Sequence, residues 1–228
     1  MEVIVLNSVP FEVNTENVLR KMHTTTDSPY SEGIAKLVAE AAAIGNPKAV
    51  YKPAFIEAKG DDFVIVDGVR FTSRVLRVNL EDIDRVFPYV ITCGKEIEDW
   101  SRRISDLFDS YCADVIKEMM LVSARQKVKS QIDRQYGLQH TSYMSPGSLE
   151  DWPITEQIPL FQLLGDVKEY IGVELTESCL MLPIKSVSGV YFPQEGTFES
   201  CQLCSREKCP NRRTAYDKEL YEQKYKLK

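Results

Sequence analysis

The segment ITEQIPLFQLLGDVKEYIGVELTESCLMLPIKSVSGVYF, residues 154–192, decides how this chain is read. Its first half has helical spacing broken at Gly165, which predicts two short helices. Its end, SVSGVYF at 186–192, predicts a strand, with Gly189 where another group must approach the backbone closely.

Working outward, the run GLQHTSYMSPGSLEDWP at 137–153 is rich in Gly, Ser and Pro and reads as a loop. It is long for a connection, and long loops in compact domains tend to be functional. Residues 95–135 read as helical, closed by Gly137, with Tyr111, Val115, Met119 and Val122 as the apolar stripe and Met119 and Met120 as core filling. RVFPYVITCG at 85–94 predicts a strand buried on both faces and ended by Gly94. Residues 49–73 alternate apolar and polar side chains, with KGDD and DG as turn signals. Towards the N-terminus come a helix at 31–45, capped by Ser31 and stopped by Gly45, a short helix capped by Asn14, and a strand in EVIVLN. TAYDKELYEQKYKLK, 214–228, reads as a polar terminal helix that frays.

The 228 residues fit one large domain or two small ones, and 43% hydrophobic with 27% charged content is ordinary for a soluble globular protein. A formal net charge of -6 argues against a nucleic-acid partner, which needs a basic face. No apolar run approaches the ~20 residues of a membrane span, and no signal peptide is evident, so the expected compartment is the cytoplasm. Phosphate-loop, dinucleotide, zinc-protease and nucleophile-elbow motifs are all missing. His140 reads as a solvated loop histidine rather than a ligand donor, and Glu150, Asp151, Glu156 and Glu177 as caps or solvated charge rather than a general base. No catalytic residue is assigned.

CQLCSREKCP, residues 201–210, holds half of the six cysteines. Cys201, Cys204 and Cys209 are spaced C-x2-C-x4-C, so that two thiolates from one turn and a third after a short loop can clasp one metal centre. Pro210 stiffens the exit, and Arg206, Lys208, Arg212 and Arg213 offset the thiolate charge. Three thiols are one short of a closed four-coordinate site, and Cys179 is the candidate fourth ligand. Cys93 and Cys112 read as core. The spacing leaves open an iron–sulfur cluster, the first expectation, a structural zinc, or a metal-free thiol group.

The pattern across 146–192 resembles the activation domain of cobalamin-dependent methionine synthase. The matching residues are Pro146-Gly147, Thr155-Glu156, Leu163-Leu164, Leu175 to Ser178, Met181, Pro183, Ser186 to Gly189 and Tyr191-Phe192. Weaker similarity runs back through TCGKEIEDW and the long helix, so that most of residues 85–200 is covered. The resemblance implies an α+β unit in which a twisted antiparallel sheet is flanked by helices. Residues 1–84 would form the N-terminal portion of that unit, 201–213 an added cysteine cluster and 214–228 the terminal helix.

The resemblance also implies corrinoid handling in methionine biosynthesis. Members bind S-adenosylmethionine and cap the corrinoid so that inactive cobalt is reduced and remethylated. Carried over by motif, the cofactor-binding positions are Tyr143, Ser145, Gly147, Tyr191 and Phe198. The family's ligand loop has arginine where this chain has Tyr143 and tyrosine where it has Ser148. An acidic ligand contact aligns near Arg125, a reversal of charge. A phenol does not replace a bidentate arginine–carboxylate pair, so adenosylmethionine binding is expected to be weak or absent. The chain has no room for the family's folate, homocysteine and cobalamin domains, which implies that a corrinoid-binding methyltransferase protein supplies the cobalamin. The expected role is that of an accessory protein that caps the corrinoid and helps reduce it, with the cysteine cluster replacing an external flavoprotein as electron donor. The alternative is an interaction module with a structural zinc knuckle and no redox role. Tyr143, Trp152, Tyr191 and Phe198 are the aromatic residues expected to pack on the corrin face.

Overall fold

A computed structural model describes residues 2–194, 198–206, 208–209 and 212–226. In chain order these form strand β1 (Ile4–Leu6), helices α1 (Thr15–Lys21) and α2 (Ser31–Ile44), and strands β2 (Lys48–Tyr51), β3 (Ala54–Lys59), β4 (Phe63–Val66) and β5 (Val69–Thr72). Helix α3 (Arg74–Asn79), strand β6 (Arg85–Thr92), helices α4 (Lys95–Ser101) and α5 (Leu107–Tyr136) and strand β7 (Thr141–Met144) follow. Then come helices α6 (Gln157–Leu164) and α7 (Val167–Ile171), the small pair β8 (Glu174–Leu175) and β9 (Met181–Leu182), and strand β10 (Ser186–Pro193). The class is α+β, an antiparallel sheet flanked by helices, as expected.

Strand β6 is the axis. Its apolar run leaves no polar face, so both sides must be covered. β10 lies along one edge, with Gly189 opposite Tyr89, and β7 extends β10. The other edge is shared: β2 pairs with β6 at Tyr89 to Thr92, and β3 pairs at Arg85 and Val86. β1 extends β2, and β4 and β5 extend β3, so residues before and after 85 build one sheet. The Asp67-Gly68 turn between β4 and β5 has φ of 44° and 79°, the doubly left-handed geometry that a tight hairpin needs.

Thirty residues give α5 a length of about 45 Å. Its first half packs on α1, α2 and α4 through Cys112, Ile116 and Met120. Its second half covers the sheet, with Ala124, Val128 and Ile132 on Tyr51, Phe87, Tyr89 and Tyr191. On the opposite face α6 and α7 bring Leu164, Val167 and Ile171 onto Val50 and Val90.

Four local expectations change. The buried stripe of α5 runs through Cys112, Ile116, Met120, Ala124, Val128 and Ile132, whereas Tyr111 and Val122 are exposed. Alanines and a cysteine let the helix lie close to its neighbours, and a pattern weighted by large side chains overlooks them. Ser31 does not cap α2. Tyr30 precedes the helix without a side-chain cap, and Ser31 is already helical, where its hydroxyl cannot reach the free N–H groups. The loop after α5 contains β7, whose Thr141 and Tyr143 are half-buried and Ser142 and Met144 buried, the alternation of an edge strand. The C-terminal segment is no frayed polar helix. A π-helical turn at Tyr221–Tyr225 plugs Tyr225 into the core, where its hydroxyl donates to Asn79 Oδ1 at 2.8 Å and its ring meets Phe198 edge-on.

Candidate functional site

β7 pairs with β10 only from Thr141 to Met144. There the chain leaves the sheet through a turn, Ser145-Pro146-Gly147-Ser148, closed by the Ser148 N–H donating to the Ser145 carbonyl at 3.1 Å. Proline at the second position and a glycine with φ of 81° at the third make this turn. The Gly147 N–H is tied to the Trp152 carbonyl at 2.7 Å. Because the chain departs, the first half of β10 has no strand neighbour on that side among the described residues, and a cleft of about 980 Å³ opens beside Ser186, Val187 and Ser188.

The cleft gathers Arg125 from α5, Tyr143 and Ser145 from the end of β7, Gly147 and Ser148 from the turn, Gln157 from α6, and Arg212 and Arg213 from the tail. Tyr143, Ser145 and Gly147, three of the five motif-derived positions, therefore do meet in one place. Arg125 joins them, as the charge-reversed alignment implied. Tyr191 and Phe198 do not line it. Tyr191 is only 1% and Phe198 only 6% exposed, both packed in the core. Trp152 is fully buried as well, so neither it nor those two is available to a corrin face as the chain stands. Tyr143 remains half-exposed.

Sequence reading missed the electrostatics. Two guanidinium groups share the ring of Tyr143: Arg125 and Arg213 are each 4.7 Å from its ring centroid. Burial lowers the Arg213 pKa, and the nearby Arg125 charge lowers it further. Arg213 pairs with Glu199 at 2.7 Å, whereas Arg125 has no carboxylate partner among the described residues. Tyr89 and Tyr191 stack with centroids 4.1 Å apart, their hydroxyls beside each other and Tyr89's beside Ser145, without a well-formed hydrogen bond among the described residues. Burial pushes both phenols up, with Arg125 pulling the other way. The legible signal was Gly189, whose register places Tyr89 opposite it and Ser145 alongside.

The polar groups weighed as bases are structural. Asp151 accepts from the Val75 N–H at 2.9 Å and from Ser73, holding the start of α3. Glu156 accepts from the Thr72 N–H at 2.9 Å and from the Trp152 indole at 3.4 Å. His140, Glu150 and Glu177 are exposed.

Around the cysteines the backbone wraps a guanidinium. Arg212 donates to the carbonyls of Cys201 at 3.0 Å, Cys204 at 3.1 Å, Thr214 at 3.3 Å and Arg206 at 2.5 Å. Cys201, Cys204 and Cys209 are half-buried around this cage. Cys179 is buried elsewhere, in a left-handed turn with φ of 60° where its carbonyl accepts from Gln157. Among the described residues no three Cys, His, Asp or Glu side chains come together in an arrangement that would hold a metal. The thiols suit zinc or an iron–sulfur cluster chemically, but their placement does not fit either group. Pro210 lies outside the described residues. Cys93 and Cys112 are core, as read from sequence, and burial pushes their thiols up to about 12 and about 11. Among the described residues no helix is long and apolar enough to cross a membrane.

The half-covered sheet edge thus leaves a ligand-sized cleft with a basic lining in an α+β fold. Residues 145–210 match the family model for the vitamin B12 dependent methionine synthase, activation domain. A solved structure described as "Crystal Structure of the MetH Reactivation Domain bound to AdoHcy" shares the fold. Its TM-score is 0.58 at 14% identity, over 88% of this chain and 81% of that one. No curated protein matches the chain. The chain thus shares the fold of that reactivation domain and, over residues 145–210, resembles the activation-domain family in sequence.

Proposed function

We propose that this protein caps the corrinoid of a cobalamin-dependent methyltransferase of the methionine synthase type and supports its return to activity. The carrying observation is one of place: the family match at 145–210 spans the turn, α6 and β10, the elements that build the cleft. The cobalamin belongs to the methyltransferase protein, and the encounter takes place in the cytoplasm. Tyr143, Ser145 and Gly147 form the contact side with Ser186 and Ser188, whereas Tyr191 and Phe198 support it from within the core.

The similar solved structure is described as holding AdoHcy. In this chain adenosylmethionine binds weakly, because a sulfonium in this cleft meets Arg125, a like charge with no carboxylate partner among the described residues. No step is assigned to an iron–sulfur or zinc centre, since the placed thiols do not converge.

The test mixes the purified protein with a cobalamin-loaded methyltransferase subunit and follows the cob(II)alamin absorbance. A shifted spectrum, and faster reduction by a low-potential donor than without this protein, is the expected result. An unchanged spectrum with no complex on gel filtration sinks the reading.

A further inference from the structure

We infer that the cleft between β10, α5 and the tail is a binding site for an anionic group, a phosphate or carboxylate, held by Arg125 and Arg213. This goes beyond corrinoid capping and does not rest on it.

The first observation is charge. The whole chain carries a formal net charge of -6, yet the lining includes Lys21, Arg125, Lys185, Arg212 and Arg213 against a single acid, Glu118. Some of that charge is already answered. Lys21 pairs with Glu118 at 3.1 Å, Lys185 with Asp114 at 2.9 Å and Arg213 with Glu199 at 2.7 Å. Arg212 is held by backbone carbonyls. Arg125 makes no ion pair among the described residues: it lies on the ring of Tyr143, which it shares with Arg213, and the nearby Glu199 carboxylate that feels its charge is already paired to Arg213. Two guanidinium groups on one ring repel each other, and an anion between them removes that repulsion while accepting charge-assisted hydrogen bonds.

The second observation is independent. The Tyr89 and Tyr191 hydroxyls are buried beside each other, with Ser145 beside Tyr89, and neither makes a well-formed hydrogen bond among the described residues. Buried hydroxyls are normally well satisfied, so this loosely bonded group is one that a better acceptor at Ser145 would improve. Tyr89 Oη and Ser145 Oγ flank Gly189 on the same side, at 2.9 and 2.8 Å from where a Cβ would stand, and Ser145 lines the cleft. An anionic oxygen beside Ser145 can accept from the Ser145 hydroxyl, which has Tyr89 behind it, in a cleft that Arg125 and Arg213 also line. A sulfonium has nothing to gain there.

The experiment titrates the isolated chain, with no corrinoid present, against inorganic phosphate, acetate and adenosylmethionine at constant ionic strength, read by calorimetry and thermal shift. Saturable phosphate or acetate binding that raises the Tm is expected, and the stronger of the two identifies the anion class. Arg125→Met should weaken it at least about tenfold, and Arg213→Met, at a more exposed side chain, should weaken it without disturbing the core. Equal anion responses in wild type and both variants would overturn the assignment. So would adenosylmethionine binding more tightly than either anion and unaffected by Arg125→Met. Should Arg125→Met fail to fold, the Arg213 variant and the wild-type titration decide alone. Corrinoid docking is read in a separate assay, so failure here leaves that reading standing, and the reverse also holds.

Discussion

Gly189 lies directly opposite Tyr89 across the β10–β6 pair, and a Cβ at 189 would come within 2.9 Å of the Tyr89 hydroxyl. It would also press on the Met144 carbonyl oxygen, which as backbone cannot swing aside. Gly189 is therefore what lets β7 close on β10 beneath the cleft. Gly189→Ala should cost about 1–3 kcal/mol in urea unfolding, the ordinary penalty of overpacking. A variant as stable as wild type would mean that the strands separate easily and that the cleft floor is not close-packed around Gly189.

The six thiols divide into two sets. Cys201, Cys204 and Cys209 are half-buried, whereas Cys93, Cys112 and Cys179 are buried. Burial dominates the upward shift at Cys93 and Cys112, and at Cys112 the Asp109 charge adds to it. Thiolate is the reactive form, so brief alkylation at pH 8 should label the first three and spare the others, as read by peptide mass spectrometry. Labelling of Cys93 or Cys112 at the rate of Cys201 would contradict the packing. Protection of the tail thiols that a chelator relieves would show that they converge on a metal after all.

The scaffold was largely legible because its signals are local. An unbroken apolar run marked β6, Asp67-Gly68 marked a hairpin, and Gly165 parted two helices, each within a few residues. The cleft was legible only in part. Tyr143, Ser145 and Gly147 are neighbours in sequence and could be found by motif. Arg213 reaches Tyr143 from seventy residues away, and no periodicity encodes that meeting. Tyr191 and Phe198 sit in the motif but serve the core, because in β10 and the segment after it the same aromatic residues satisfy packing and pattern alike. The cysteine spacing looked like a ligand set, yet spacing does not fix where side chains turn, and Arg212 takes the centre of that loop.

Tyr225 anchors the tail that carries Arg212 and Arg213. Its ring is fully buried against Phe198, and its hydroxyl donates to Asn79. Tyr225→Ala should cost about 3–5 kcal/mol, as for other large aromatic truncations in cores. Tyr225→Phe, which loses only the hydrogen bond, should cost about 1 kcal/mol. Equal and small losses in both would show that the tail is not seated in the core.

Lys117 and Glu98 form a buried ion pair at 3.2 Å between α5 and α4, with the Ser101 hydroxyl accepting a second bond from Lys117 at 2.8 Å. Removing Lys117 leaves Glu98 with only the largely exposed Arg102, 3.3 Å away, and removing Glu98 leaves Lys117 with Asp114 at 3.9 Å. Lys117→Met should destabilise the protein by up to about 3 kcal/mol, less than an unshared buried pair because Arg102 still faces Glu98, whereas the double change Lys117→Met with Glu98→Gln should recover much of that loss. A single variant within about 0.5 kcal/mol of wild type, the size of an ordinary surface change, would mean that water already reaches the pair.

Asp67 gives the clearest pH dependence. Burial raises its pKa, but hydrogen bonds from Lys52, with Nζ 2.8 Å away, and from the Phe55 N–H at 2.9 Å outweigh burial and hold the carboxyl below its ordinary value. A carboxyl depressed in the folded state stabilises the fold above its unfolded pKa of about 3.9, and that contribution is lost as pH falls through the folded value. Asp67→Asn keeps the left-handed turn, since asparagine tolerates positive φ, and removes only the charge. The variant should therefore be less stable than wild type at pH 7, by about 1.5–3 kcal/mol for charged hydrogen bonds. The gap should narrow as pH drops below about 4, where the unfolded carboxyl takes up its proton ahead of the folded one, and should close as pH passes below the depressed folded value. Paired urea titrations at pH 7 and pH 3 measure it. A gap that stays constant between the two would place the effect in the turn backbone and not in the Lys52–Asp67 pair.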